Sequence, residues 1–331
     1  MGRPVGRGSC TVASWRRCSN GVRMPTPRPV VLDCDPGTDD AIALLLALAS
    51  PELDVRLVTV AGGNVGLERA LANARALVGL GGRVVPVVAG AARPLLGVFA
   101  AERAVHGDDG LAGLTLPEGP PATPGIAADA IRTVLRAAQP GSITLMGIAP
   151  ATNLALALAT EPALADGVAE IVLMSGAWAE GNWTPAAEFN AFADPEALAM
   201  LLASGRPVTL ATLELTAQAL CTPARIAALR ASGGGARLRA ACDIMAAVPP
   251  SRRFGGAGHA LHDPCAVAWL VAPHLFTTRE VHVAVDLGPG LSRGRTVIDR
   301  WGRLRQPTNA RLLETLDADG FFALLRKTLG S

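Results

Sequence analysis

Asp33, Asp35, Asp39 and Asp40 fall within eight residues of one another, in the stretch PVVLDCDPGTDDAIALLLALAS from Pro29 to Ser50. Four carboxylates this close repel, and a bound cation relieves the repulsion. The elements that hold them are legible from their neighbours. Val30, Val31 and Leu32 form an aliphatic run that reads as a buried strand, Pro36-Gly37 is a turn signal, and Thr38 is the expected N-cap of a helix running to Ala49. The acids therefore sit where a strand ends and a helix begins. In an open α/β sheet ligands bind at that edge, and a helix N-terminus favours nearby negative charge.

The same regularity recurs along the chain. Strands are expected at Val30–Cys34, Val55–Val60, Val84–Ala89, Ser142–Met146, Ile171–Met174 and Val208–Ala211. Helices are expected near Asp39–Ala49, Leu67–Gly79, Ala127–Ala138, Asn153–Ala159, Pro195–Ala203 and Phe321–Leu329. Alternation of uninterrupted aliphatic strands with helical patterns predicts a mostly parallel sheet covered by helices on both faces, an α/β fold. Val281–Val285 and Thr296–Ile298, separated by a glycine-rich segment, read instead as a small C-terminal antiparallel hairpin. Polar clusters follow the strands: AGGN at 61–64, HGDDGL at 106–111, GIAPATN at 147–153, the loop holding Asn182, Glu188, Asn190 and Asp194, and His262-Asp263. A site assembled from several such loops is the simplest account of their placement.

Composition narrows the partners. The chain has 331 residues, half of them apolar, and a formal net charge of +2. That balance makes no electrostatic case for nucleic acid, and no apolar segment is long enough for a membrane span. Cys10, Cys18, Cys34, Cys221, Cys242 and Cys265 include no CxxC pair, which argues against a zinc knuckle or a disulfide framework and for a reducing, cytoplasmic setting. Residues 1–28 carry six arginines and no acid; they are expected to be a disordered extension outside the fold, with a transit peptide and a true start at Met24 both fitting the composition. Residues 29–331 are expected to form one domain.

These motifs together resemble the inosine-uridine-preferring nucleoside hydrolase family. The resemblance rests on DCDPGTDDA at 33–41, AGGN at 61–64, HGDDGL at 106–111, GNWTPAAEFN at 181–190 and HDPCAVA at 262–268, in that order, and spans roughly residues 29–330. It implies a single Rossmann-like domain, assembly as a homodimer or homotetramer, and calcium-dependent hydrolysis of the N-glycosidic bond of a ribonucleoside. Matched position by position, it makes Asp35, Asp40, Asp263 and the backbone carbonyl of Ile148 the Ca²⁺ ligands, with Asp35 also the base for the attacking water. Asp39, Asn64, Asn182, Glu188 and Asn190 match the ribose-binding positions. His262, and after it His106, are the candidates for protonating the departing base. The chemistry agrees: a hard cation takes oxygen ligands, and carboxylates suit an oxocarbenium-like transition state.

Each feature also has an ordinary explanation. Asp39-Asp40 alone is an acidic first helical turn, Asn64 and Asn190 are turn residues, Glu188 is a loop charge, and His106 and His262 are loop and helix-start residues. Five motifs in order outweigh these separate accounts, but His259, His274 and His282 match no motif and are expected to be structural. Two other classes compete. A non-catalytic calcium- or nucleoside-binding homologue is distinguished only by activity. A haloacid dehalogenase-type phosphatase would need Thr or Val where Gly37 stands. The chain also lacks tyrosine, and the segment before HDP reads VPPSRRFGGAGHAL, so Arg252, Arg253 and Phe254 stand where relatives carry other aromatics and base preference stays open. Trp183, inside the sugar-binding motif, is expected to pack or to border the base.

Overall fold

The computed structural model describes residues 26–99 and 103–331, together with the paired dipeptides Arg16–Arg17 and Arg23–Met24. The remainder of the expected N-terminal extension up to residue 25 lies outside the described residues, as do Cys10 and Cys18. Arg28 already belongs to the fold: it opens the first strand, and its guanidinium pairs with Glu170 on a neighbouring strand.

Nine strands make one sheet: β1 (Arg28–Cys34), β2 (Leu53–Val60), β3 (Val87–Ala89), β4 (Ile143–Gly147), β5 (Val168–Met174), β6 (Val208–Ala211), β7 (Phe276–Val285), β8 (Thr296–Asp299) and β9 (Ala310–Leu316). Their spatial order is β8-β7-β9-β6-β5-β4-β1-β2-β3. All pairings from β9 to β3 are parallel; β7 runs antiparallel to both β8 and β9. The chain winds outward from β1 through β2 to β3, then returns to β4 on the other side of β1 and winds the opposite way. A topological switch point therefore lies between β1 and β4, and a crevice opens there beyond the carboxyl ends of the strands.

Alternate residues of each strand feed two apolar layers. Val30, Leu32 and Cys34 face a layer containing α1 (Thr38–Ala49), while Val31 and Leu145 face the opposite layer. α1 is apolar all round because it is covered on every side, packing against α2 (Leu67–Gly81) and against the helices Ala236–Ala247, Asp263–Val271 and Ala318–Leu329. The helices Ala127–Arg136, Thr152–Ala159 and Pro195–Leu202 cover the second face.

Several elements differ from expectation for identifiable reasons. The N-cap of α1 is Gly37, not Thr38; the Gly37 N–H donates to Asp40 Oδ2 at 3.1 Å, so the third helical residue caps the helix from inside. β3 begins at Val87 because Pro86 has no N–H to give a ladder, and Val84 projects into solvent. β9 was not anticipated: Ala310–Leu316 inserts between β6 and β7, so the C-terminal hairpin is joined to the main sheet rather than appended to it.

Candidate active site

β1 ends at Cys34 and delivers its acids to the switch point at different depths. Asp33 lies deepest, with Oδ1 accepting from Thr59 Oγ1 at 2.5 Å and from Asn153 Nδ2 at 2.8 Å. It faces protein, not the crevice. Burial, partly offset by those bonds, pushes its carboxyl up to about 7. Asp35 is also fully buried; its Oδ2 accepts the Asn64 N–H at 2.6 Å, and its Oδ1 has no partner. Only glycine fits at 63, since a Cβ there would lie 2.0 Å from Asp35 Oδ2.

Asp40 ties the turn together. Its carboxylate accepts from the N–H of Asp35 and of Gly37, each at 3.1 Å, and from Asn64 Nδ2 at 2.9 Å. Asp39, on the adjacent helical position, opens toward the cavity. Asp39, Asp40 and Asp263 bring carboxylate oxygens within 4.8 Å of one another. Asp35, an expected ligand, is not among the three, while Asp39, expected to hold ribose, is. Burial first, and the neighbouring carboxylates second, hold Asp35 and Asp263 well above the usual carboxylate range, and burial with Asp39 pushes Asp40 up to about 7. Several buried carboxyls, with Asp35 Oδ1 and the deeper Asp33 Oδ2 both unpartnered and no cationic side chain among the partners found, are a donor set that suits a hard, oxygen-seeking cation.

Ile148 follows β4 directly across the switch point, where its N–H donates to Asp33 O at 2.9 Å. Its carbonyl accepts from Asn190 Nδ2 at 3.1 Å, and the same amide reaches Met174 O at 3.1 Å. Asn190 thus joins the ends of two strands. Glu188 is the N-cap of the short helix Phe189–Ala193: its carboxylate accepts the N–H groups of Gly176, Asn190 and Ala191 at 2.8 to 2.9 Å. Burial lifts it to about 6 against the pull of those bonds. Asn182 Oδ1 accepts the Phe189 N–H at 2.9 Å, and Trp183 packs edge-on to Phe189 with ring centroids 5.3 Å apart.

Two expected histidines reach the same cavity with their inner nitrogens engaged. His106 Nδ1 accepts the Thr38 N–H at 3.1 Å and lies 3.0 Å from the Thr38 hydroxyl, so a neutral His106 carries its proton on Nε2. Its loop is held by Asn73 Nδ2, which bonds both Pro36 O at 3.1 Å and Asp109 O at 2.8 Å. His262 Nδ1 lies 2.7 Å from the Thr216 hydroxyl, and burial lowers its pKa while Asp39 opposes that shift.

The cavity bounded by these groups has a volume of about 680 Å³. Its lining includes an acidic floor of Asp39, Asn64, Ile148 and Asp263 and a wall contributed by Pro250, Arg252, Arg253, Phe254 and His259. The Arg253 guanidinium donates to Gly181 O and Glu180 O, both at 3.2 Å, bridging the two loops over the opening. Three participants escaped the sequence: Thr216, Asn73 and His259. Thr216 and Asn73 carry no local signal because their partners lie far away in the chain. His259 was assigned to structure, yet it lines the cavity.

The family model for inosine-uridine preferring nucleoside hydrolases matches residues 30–323. The chain belongs to that family. This nucleoside hydrolase is 41 % identical over 307 residues to the pyrimidine-specific ribonucleoside hydrolase RihA of Salmonella typhimurium, a match covering 91 % of this chain and 98 % of the relative. Among solved structures, it resembles the plant nucleoside hydrolase PpNRh1, with a TM-score of 0.85 and 30 % identity over 92 % of this chain and 99 % of that one. A purine-preferring ribonucleoside hydrolase from Gardnerella vaginalis gives a TM-score of 0.83 and 30 % identity, covering 92 % and 98 % of the two chains. Hydrolysis of ribonucleosides is the activity that this membership supports, and the phosphatase alternative falls away. No helix among the described residues is long and apolar enough to cross a membrane.

Proposed function

We propose that the chain hydrolyses the N-glycosidic bond of ribonucleosides, releasing ribose and a free base, with Ca²⁺ held by Asp35, Asp40, Asp263 and the Ile148 carbonyl. The observation that carries the metal assignment is the buried, unpartnered Oδ1 of Asp35 together with the triplet of Asp39, Asp40 and Asp263, whose carboxylate oxygens lie within 4.8 Å of one another. When bound, the ion supplies Lewis acidity toward water and an oxygen-seeking anchor for ribose hydroxyls.

The protein's own groups have distinct tasks in this proposal. Asp35 takes the proton of the attacking water. Asp39 and Asn190 hold ribose hydroxyls, Asn182 and Glu188 define the 5′ end, and Asn64 keeps Asp35 and Asp40 aligned through the three bonds it makes to them. His262 donates a proton to the leaving base from Nε2, since Nδ1 is engaged by Thr216, and His106 offers a second Nε2–H. A carboxylate-rich floor stabilises the positive charge that develops on the ribosyl ring as the base departs. Pyrimidine ribonucleosides are the first candidates, because a relative 41 % identical is named as pyrimidine-specific. Assembly as a homodimer or homotetramer and a cytoplasmic setting belong to the same proposal.

The direct test is ribose release from uridine, cytidine, inosine and adenosine, with and without a chelator. Turnover that is lost with chelator and restored by Ca²⁺ is expected. No turnover of any nucleoside leaves the non-catalytic binding protein as the better account.

A further inference from the structure

Among the described residues, His259 carries the one ring nitrogen on the cavity wall that is buried without a hydrogen-bond partner. It belongs to a two-residue ladder in which His259 and Ala260 pair with Cys221 and Leu220, so its backbone is fixed between the Arg252–Phe254 turn and the helix that starts at Asp263. The ladder is close-packed: a Cβ at the preceding Gly258 would lie 2.1 Å from Cys221 O. The side chain is only 9 % exposed and lines the cavity, and its Nε2 is enclosed with no partner. In the other two cavity histidines it is Nδ1 that the protein engages, through Thr38 in His106 and Thr216 in His262.

A buried imidazole nitrogen without a partner is unfavourable unless something else completes it. His259 shares its part of the lining with Phe254, Pro250 and Arg252, because the Ser251 N–H donates to Gly258 O at 2.8 Å, and Asp39 is close enough to oppose the effect of burial on the ring, so a ribose held by Asp39 would carry its base beside this segment. Burial lowers the His259 pKa, which keeps the ring neutral with one donor and one acceptor nitrogen. A neutral imidazole matches either polarity by exchanging tautomers. An arginine in the same place can only donate.

We propose that His259 is a specificity-determining residue that hydrogen-bonds the edge of the nucleobase, turning about its Cβ–Cγ bond to present the unpartnered nitrogen, and that its two tautomers let one site take both a carbonyl-edged and an amino-edged pyrimidine. The proposal rests on the hydrolase function above. It separates His259 from the acid role of His262: the bond concerns recognition of the base, not protonation of the leaving nitrogen.

The test compares wild type and His259→Ala on uridine, cytidine and a nitrophenyl riboside, whose leaving group has a different edge. The expected result is a loss in kcat/KM of about 10- to 100-fold on both nucleosides, the usual discrimination attached to one buried hydrogen bond, and less than about threefold on the nitrophenyl riboside. Equal losses on all three substrates, or no loss on the nucleosides, overturn it. Should the alanine variant fail to fold, His259→Gln and His259→Leu carry the comparison. Gln keeps a donor and an acceptor and should retain more nucleoside activity than Leu; equal activity of the two overturns the assignment. Wild-type protein inert on all three substrates removes the hydrolase function and this proposal with it, whereas an active wild type with an indifferent His259 variant removes this proposal alone.

Discussion

The acidic floor of the cavity and its arginine-bearing wall are built in opposite ways. The floor comes from one buried turn, in which Asp40 alone accepts three hydrogen bonds from Asp35, Gly37 and Asn64. The wall comes from a short 3₁₀ turn, Arg252–Phe254, exposed on one side and held over the opening by Arg253 bonds to two backbone carbonyls. A buried polar network fails as a unit when one member is removed, whereas an exposed contact exchanges with water at little cost. Under the proposed function, that difference assigns chemistry to the floor, where a change should cost the reaction, and choice of base to the wall, where a change should be better tolerated.

The most severe test of that division is Asp40→Ala. It should abolish cation binding and activity together while the surrounding strand and helix persist, as read by elemental analysis, turnover and circular dichroism. Zinc in the purified protein, or full activity after exhaustive chelation, breaks the oxygen-ligand floor. Asp35→Asn should lower kcat by about two to four orders of magnitude, with KM changed far less, because the base is lost and the ribose contacts stay.

His262→Ala sharpens the boundary between floor and wall. Nucleoside cleavage should slow by about two to four orders of magnitude, the usual worth of a general acid. A ribosyl nitrophenolate, whose leaving group departs without a proton, should be spared. Equal loss on both substrates would place His262 with the floor, as a support of Asp263 or of the ribose.

Stability gives an independent view of the floor. Burial raises Asp33 and Asp40 to about 7, above an unfolded value near 3.8. Between those values the folded chain holds more protons than the unfolded one, so cation-free stability falls as pH rises from about 4 to about 7. On the proposed ligand set Ca²⁺ replaces the proton of Asp40, not that of Asp33, and its effect should grow over the same window. Melting temperatures at pH 5 and pH 8, with chelator and with saturating Ca²⁺, measure this. An equal calcium increment at the two pH values would detach the ion from these carboxyls.

The smallest effect belongs to the wall. Arg253→Ala removes the bridge to Gly181 and Glu180 and should raise KM by about fivefold or less with kcat unchanged, as an exposed contact worth about 1 kcal/mol allows. A large fall in kcat in steady-state assays would show that the wall shares in the chemistry and dissolve the contrast.

What could be read without the structure follows the same division. The acids, the glycine turn and the aliphatic strand lie next to one another in the chain, so β1, α1 and the mostly parallel character of the sheet were legible from periodicity and turn chemistry, whereas the spatial order of the strands was not. Asn64, Asn190 and Glu188 were recognisable as site residues, yet the bonds they make inside the protein were not. Glu188, for instance, accepts the N–H groups of Gly176, Asn190 and Ala191 while still lining the cavity.

The sequence by itself determined the α/β alternation, the carboxylate turn and the five motifs that gather at the strand ends, because each depends on neighbours in the chain. Tertiary structure alone decided three things. It made a strand of Ala310–Leu316, whose Ala, Arg, Leu and Glu favour helix locally but are overruled by pairing with β6 and β7. It enclosed Asp33 between Thr59 and Asn153 and left Asp35 Oδ1 without a partner, although both belong to one run of acids. It carried His259 to the cavity wall by pairing it with Cys221. Burial and long-range pairing are properties of the folded chain as a whole, and no local pattern of residue types encodes which nitrogen or oxygen will be left without a partner.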